Sequence, residues 1–108
     1  MKLLNAFSLG MLPAEQNLLK MQVERLTLAE AKSRLEAGIE SCVGHADTAA
    51  ILTSLLGKDV AFNRASVTLA KGETALVAQY KGARLPEGTK VLPEGSTFEW
   101  IAVTVTAE

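Results

Sequence analysis

The chain holds one histidine, His45, in the run Ser41-Cys42-Val43-Gly44-His45-Ala46-Asp47-Thr48-Ala49. Histidine is the side chain whose ordinary pKa lies near neutral, so it can take or give a proton at working pH. Four other polar residues stand at the ends of apolar runs or in a loop-like stretch: Ser8, Arg64, Arg84 and Glu87. An arginine fork donates two parallel hydrogen bonds to a phosphate. The amides at a helix N-terminus also receive phosphate. A histidine beside that point can act as general acid or base. Together these groups have the means to cleave a phosphodiester without a metal: position the phosphate, then move protons.

Each group also has a plain structural reading. Ser8 can cap a short turn, and His45 can cap a helix with no chemistry. Arg84 and Glu87 can form a surface ion pair worth under about 1 kcal/mol. Cys42, the lone cysteine, reads as buried packing. One His and one Cys fall short of a zinc pattern. No phosphate-loop or dinucleotide fingerprint is present, and no spacing signals a Ser-His-Asp triad. No metal and no cofactor are expected.

Composition narrows the classes. The 108 residues are enough for one core, so residues 1–108 are expected to form a single domain. The hydrophobic share of 48% and charged share of 21% are those of a soluble globular protein. No apolar run approaches the roughly 18 residues of a membrane span. Met1-Lys2-Leu3-Leu4 resembles the start of a signal peptide, but Asn5, Ser8 and the pair Glu15-Gln16 interrupt it, and no cleavage site follows. One cysteine agrees with a reducing compartment, and a cytoplasmic protein is expected. The net charge of −1 argues against a duplex nucleic acid partner, which needs a basic excess. An anionic ligand must be met by a few placed groups.

The elements that position these groups follow from pattern. Lys2–Phe7 reads as a short buried strand, with Gly10 and Pro13 marking a loop. Leu18–Leu26 alternates as a strand with one wet face. Thr27-Leu28-Ala29-Glu30 is a capping box, and the helix it opens should reach about Ala37, before Gly38. A second helix should start at His45 or Ala46 and run to Leu56, with Ile51, Leu52, Leu55 and Leu56 as its apolar stripe and Gly57 as its stop. Asp47 and Thr48 fall in its first turn, among unpaired amides. Ala65–Ala70 and Ala75–Tyr80 flank Lys71-Gly72-Glu73-Thr74 as a hairpin. Phe98–Thr106 is the last strand. The stretch from Lys81 to Gly95, with three glycines and two prolines, reads as a long irregular loop of the kind that forms lids. The sum is an α+β domain: a mixed, mainly antiparallel sheet with two helices.

Four runs then occur in order: Asn5-Ala6-Phe7-Ser8-Leu9-Gly10-Met11-Leu12, Gly44-His45-Ala46-Asp47-Thr48-Ala49, Asn63-Arg64 and Arg84-Leu85-Pro86-Glu87-Gly88. In these the chain resembles the small viral anti-CRISPR ring nucleases, which also occur in bacteria and as fusions to CRISPR effector nucleases. The resemblance covers nearly the whole chain. It implies a homodimer that binds cyclic tetra-adenylate, the second messenger of type III CRISPR systems, across its two-fold axis. It implies cleavage without a metal: a ribose 2′-hydroxyl attacks the adjacent phosphorus and leaves linear di-adenylate with a 2′,3′-cyclic phosphate. Catalytic roles would fall on His45 as general acid, Ser8, Arg84 and Glu87. Substrate contacts would fall on Asn5, Leu9, Gly10, Gly44, Arg64 and Gln79. Were the protein viral, its place would be the host cytoplasm. A different class of function also fits these residues: a sponge or sensor that holds the cyclic nucleotide uncut.

Overall fold

The computed structural model describes residues 1–15 and 17–107; Gln16 of the polar pair lies outside the described residues. In chain order the elements are β1 (Lys2–Leu4), a 3-10 turn (Leu9–Met11), β2 (Lys20–Leu26), α1 (Leu28–Arg34), β3 (Glu40–Cys42), α2 (Ala46–Leu56), β4 (Thr74–Lys81) and β5 (Thr97–Ala107). The strands make one sheet in the order β2-β5-β4-β1-β3. β5 runs antiparallel to both β2 and β4 over long registers, while β1 pairs parallel with β3 and β4 over three positions each. The fold is therefore the expected mixed α+β domain, antiparallel over most of its paired length.

Alternation along the strands gives the sheet two apolar faces. On one, Leu3, Leu76, Ala78 and Trp100 pack with Ala31, Leu35, Ile51, Leu52 and Leu56 from the two helices. On the other, Leu4, Ala75, Val77, Val103 and Val105 pack with Val67 and Leu69. α1 opens as expected: Thr27 Oγ1 accepts from Glu30 N–H, and the Glu30 carboxylate accepts from Thr27 N–H. It stops at Arg34, short of Ala37. There the Lys58 ammonium takes the carbonyls of Leu35 and Glu36, at 3.1 and 3.0 Å, and a turn carries the chain to Gly38. α2 keeps its expected bounds, and Gly57 ends it in the left-handed conformation.

Three expectations are corrected. Ala65–Ala70 is not a strand, so Lys71–Thr74 is a turn into β4 rather than a hairpin tip. Both edges of β4 are already taken, by β5 and β1, and leave no place for a further strand beside it. The alternation of Val67 and Leu69 instead buries those side chains on the sheet's second face. β1 ends at Leu4, three residues before Phe7. β3, a strand the sequence pattern did not signal, fills the edge beside β1.

Candidate functional site

Parallel pairing decides where the chemistry-bearing residues go. β3, β1 and β4 lie side by side and point the same way, so their C-terminal ends emerge together. In parallel α/β sheets ligands bind beyond such ends, and these three strands share that local geometry. Asn5 follows β1; Gly44 and His45 follow β3; the long loop that carries Arg84 and Glu87 follows β4. An open cavity of about 830 Å³ lies there. The end of β1 leads to Asn5 in its wall, the start of α2 supplies His45, Asp47 and Thr48, and β4 with its loop supplies Tyr80, Gly82, Arg84, Leu85, Pro86 and Glu87. A second cavity, of about 660 Å³, runs along β3 and the 59–63 segment. Its ionisable groups are Glu40 and Asp59, which would repel a phosphate.

His45 is the N-cap of α2. Its backbone is extended, and its Nδ1 accepts from the N–H of Thr48 at 3.3 Å. The Thr48 hydroxyl lies at the same distance from Nδ1. With Nδ1 accepting from an amide, the neutral ring carries its proton on Nε2. Histidine caps a helix here because its ring nitrogen can reach the third amide, as the oxygen of Ser or Asp does. Asn5 braces the approach: its Oδ1 accepts from Gly44 N–H at 3.2 Å. Asn63 holds the other side, with its N–H on the Val43 carbonyl at 2.8 Å and its side-chain amide on the Ser41 carbonyl at 2.8 Å. That contact sets Arg64 against Gly44, where an added Cβ would lie 3.4 Å from Arg64 Cγ.

The loop after β4 is tied at its base and at its tip. Tyr80 Oη donates to the Ala83 carbonyl at 2.5 Å and lies 2.9 Å from Ser96 Oγ, linking the outgoing and returning limbs. Its ring meets Phe98 edge-on, with centroids 5.6 Å apart. At the tip, Gly88 N–H donates to Asp47 Oδ2 at 3.1 Å, which fastens the loop to the first turn of α2. Among the described residues no ion pair joins Arg84 to Glu87. Both are exposed at the cavity.

Of the residues expected at a site, the structure brings Asn5, His45, Arg84 and Glu87 to one cavity and sets Gly44 and Arg64 beside it. It does not bring Ser8, Leu9, Gly10 or Gln79 there. Ser8, Leu9 and Gly10 form an exposed turn beyond Phe7, whose side chain packs on the sheet's second face. Gln79 lies between Ala78 and Tyr80, which face the helices, so alternation sends it to the opposite face. Asp47, Thr48 and Tyr80 also line the cavity, beyond the residues expected there from sequence. The spacing of Asp47 and Thr48 after His45 was the available signal, since positions two and three beyond an N-cap meet that cap. Cys42 is half-buried on β3, where burial first, then the charge of Glu40, pushes its thiol pKa up, as suits packing rather than nucleophilic attack. No cluster of three or more His, Cys, Asp or Glu that could hold a metal occurs among the described residues. Nor, among them, is any helix long and apolar enough to cross a membrane.

The family model described as STIV B116-like matches residues 1–96 of the chain. Among solved structures, the fold is similar to that of B116 of Sulfolobus turreted icosahedral virus. The TM-score is 0.79 at 23% sequence identity, covering 95% of this chain and 97% of that one. None of the curated proteins matches it in sequence.

Proposed function

We propose that this chain, which belongs to the STIV B116-like family, is a ring nuclease that cleaves cyclic tetra-adenylate without a metal ion. The observation that carries the reading is the meeting of His45, Arg84 and Glu87 in one cavity at the ends of three parallel strands. The resemblance in four sequence runs supplies the substrate. A ribose 2′-hydroxyl attacks the adjacent phosphorus, the P–O5′ bond breaks, and the 5′-oxygen takes a proton from His45 Nε2. The 2′-hydroxyl proton passes to solvent. Two such cuts give linear di-adenylate ending in a 2′,3′-cyclic phosphate. Arg84 offsets charge on the phosphate, and Glu87 orients Arg84 or His45. Loop 82–96 carries Arg84 and Glu87 over the bound ring and so assembles the site.

The protein acts as a homodimer in this reading. A cavity of about 830 Å³ suits one drug-sized molecule, since such pockets run to about 1,000 Å³. A four-nucleotide ring laid across a two-fold axis meets two such cavities and doubles each arginine. Ser8, Leu9, Gly10 and Gln79 lie away from this cavity, and their part in holding the ring rests on the resemblance alone. Loss of the messenger would switch off the ancillary nucleases of type III CRISPR defence. That serves a virus, as the viral namesake of the family suggests, or self-limiting control in a cell.

Incubating the protein with cyclic tetra-adenylate in excess chelator tests the reading. Di-adenylate with a cyclic phosphate end is the expected product, and an intact ring after long incubation overturns it. One observation favours the second class of function: His45 already has a structural duty as a helix cap. Tight binding with full recovery of uncut ring from denatured complex would make the protein a sponge or sensor.

A further inference from the structure

The geometry points to Thr48 as a positioning residue that keeps His45 aimed at the cavity whether or not Nδ1 carries a proton. The inference rests on the proposed role of His45 in proton transfer. Thr48 presents two groups of opposite hydrogen-bonding character to one ring nitrogen: its N–H and its Oγ1 each lie 3.3 Å from His45 Nδ1. Among the described residues it is the one buried polar side chain, at 6% exposure. Buried hydroxyls persist where they have a partner, and here that partner is the ring.

A ring that works as an acid passes through several states. In the neutral resting form the proton is on Nε2, and Nδ1 accepts from Thr48 N–H. In the imidazolium Nδ1 has no lone pair; it gives up Thr48 N–H and, with a small rotation of the ring, donates to Thr48 Oγ1, a hydroxyl that can accept. When Nε2–H passes to a leaving 5′-oxygen, the ring becomes neutral with its proton on Nδ1, and the bond to Oγ1 persists through the transfer. A cap of N–H alone would hold only the first form, the one with least acidity to offer. Threonine at this place offers Nδ1 a partner in all three forms from one residue, so the ring need only rotate slightly and Nε2 stays directed outward. Among the described residues, the other charged side chains of the cavity, Asp47, Arg84 and Glu87, make no hydrogen bond to Nδ1.

The test uses Thr48→Val, which keeps the shape and removes the hydroxyl, and Thr48→Ser, which restores it; Thr48→Ala serves if the valine variant does not fold. The first readout is nuclear magnetic resonance of the single histidine in the ligand-free protein, labelled with nitrogen-15. At acid pH, wild type and Thr48→Ser are expected to show a slowly exchanging Nδ1–H, and Thr48→Val to lose it. The second is single-turnover cleavage at saturating cyclic tetra-adenylate. Thr48→Val is expected to lose roughly 10- to 100-fold in rate, the size of a hydrogen bond to a charged group, with binding changed by less than about threefold, and Thr48→Ser to recover most of the rate. A protected Nδ1–H that survives in Thr48→Val, or is missing from wild type, overturns the inference, as does cleavage by Thr48→Val at the wild-type rate. The spectroscopic arm needs no substrate. A wild-type protein that fails to cut the ring sinks the ring-nuclease reading, while the resonance still decides whether Thr48 holds the charged ring.

Discussion

Asp47 accepts the backbone N–H of Gly88 through Oδ2 at 3.1 Å. This one bond fastens the tip of the loop that carries Arg84 and Glu87 to the same helical turn that His45 caps. The position of the lid and the orientation of the histidine are thus set by neighbouring residues of α2, Asp47 and Thr48.

Removing the carboxylate should therefore free the loop before it affects the core. In Asp47→Ala the Gly88 amide is expected to exchange with solvent several-fold faster, as loss of one exposed charge-assisted bond allows, while amides within α2 beyond its first turn stay as protected as before. Residue-resolved hydrogen exchange measures this. Unchanged exchange at Gly88 would show that the loop is held by something else.

The base of the loop makes a sharper demand. Gly82 has φ of +151° and Gly88 has φ of +82°, so an alanine is strained at either. They differ in room. An added Cβ at Gly82 would overlap the Ser96 side chain and the Tyr80 hydroxyl, whereas nothing lies within 4 Å of one at Gly88. Gly82→Ala is expected to cost about 2–3 kcal/mol and Gly88→Ala about 1 kcal/mol. Chemical denaturation measures both; equal costs would contradict the packing described for Tyr80 and Ser96.

β1 is short, and its first residue is tied to the turn before β4. Lys2 Nζ meets Glu73 Oε2 at 2.6 Å, and Glu73 Oε1 accepts from Ala70 N–H at 2.9 Å. The Lys2 bond first, then the Ala70 amide, hold the Glu73 carboxyl below its usual range, and the same bond raises Lys2. A depressed carboxyl stabilises the fold above its unfolded pKa, and this is lost as pH falls through the folded value. The raised ammonium contributes below the ordinary lysine value and loses its share as pH rises through the folded one. Glu73→Gln should melt below wild type at neutral pH, by up to about 1 kcal/mol. Thermal melts should show the gap closing as pH falls past the usual carboxylate range and through the lowered value of the folded Glu73, where residue 73 is uncharged in both proteins. A gap that persists in acid would mean that the carboxylate charge is not its source.

Much of this architecture was legible in the residues. The ends of α2 are legible because an apolar stripe lies between a capping group and a glycine, and both signals are local. Ala65–Ala70 misled because alternation reports which side chains are buried, not whether the backbone has a partner; Val67 and Leu69 bury themselves without joining the sheet. β3 escaped notice because three residues carry almost no period. The convergence of Asn5, His45, Arg84 and Glu87 depends on β1, β3 and β4 being parallel, a non-local fact that no window of sequence contains. The position of Gln79 could have been inferred: it neighbours Tyr80 on a strand, and the two must face opposite ways.

The central claim is that His45 moves a proton in cutting a cyclic tetra-adenylate ring, and His45→Asn tests it most directly. Asparagine keeps an oxygen to cap Thr48 N–H, so helix and cavity are preserved while the proton carrier is gone. Single-turnover cleavage in chelator, measured beside equilibrium binding of the ring, is expected to fall by about 100-fold or more, the lower bound for losing a general acid. Binding should stay within a few-fold of wild type. Cleavage by His45→Asn at the wild-type rate would contradict the account.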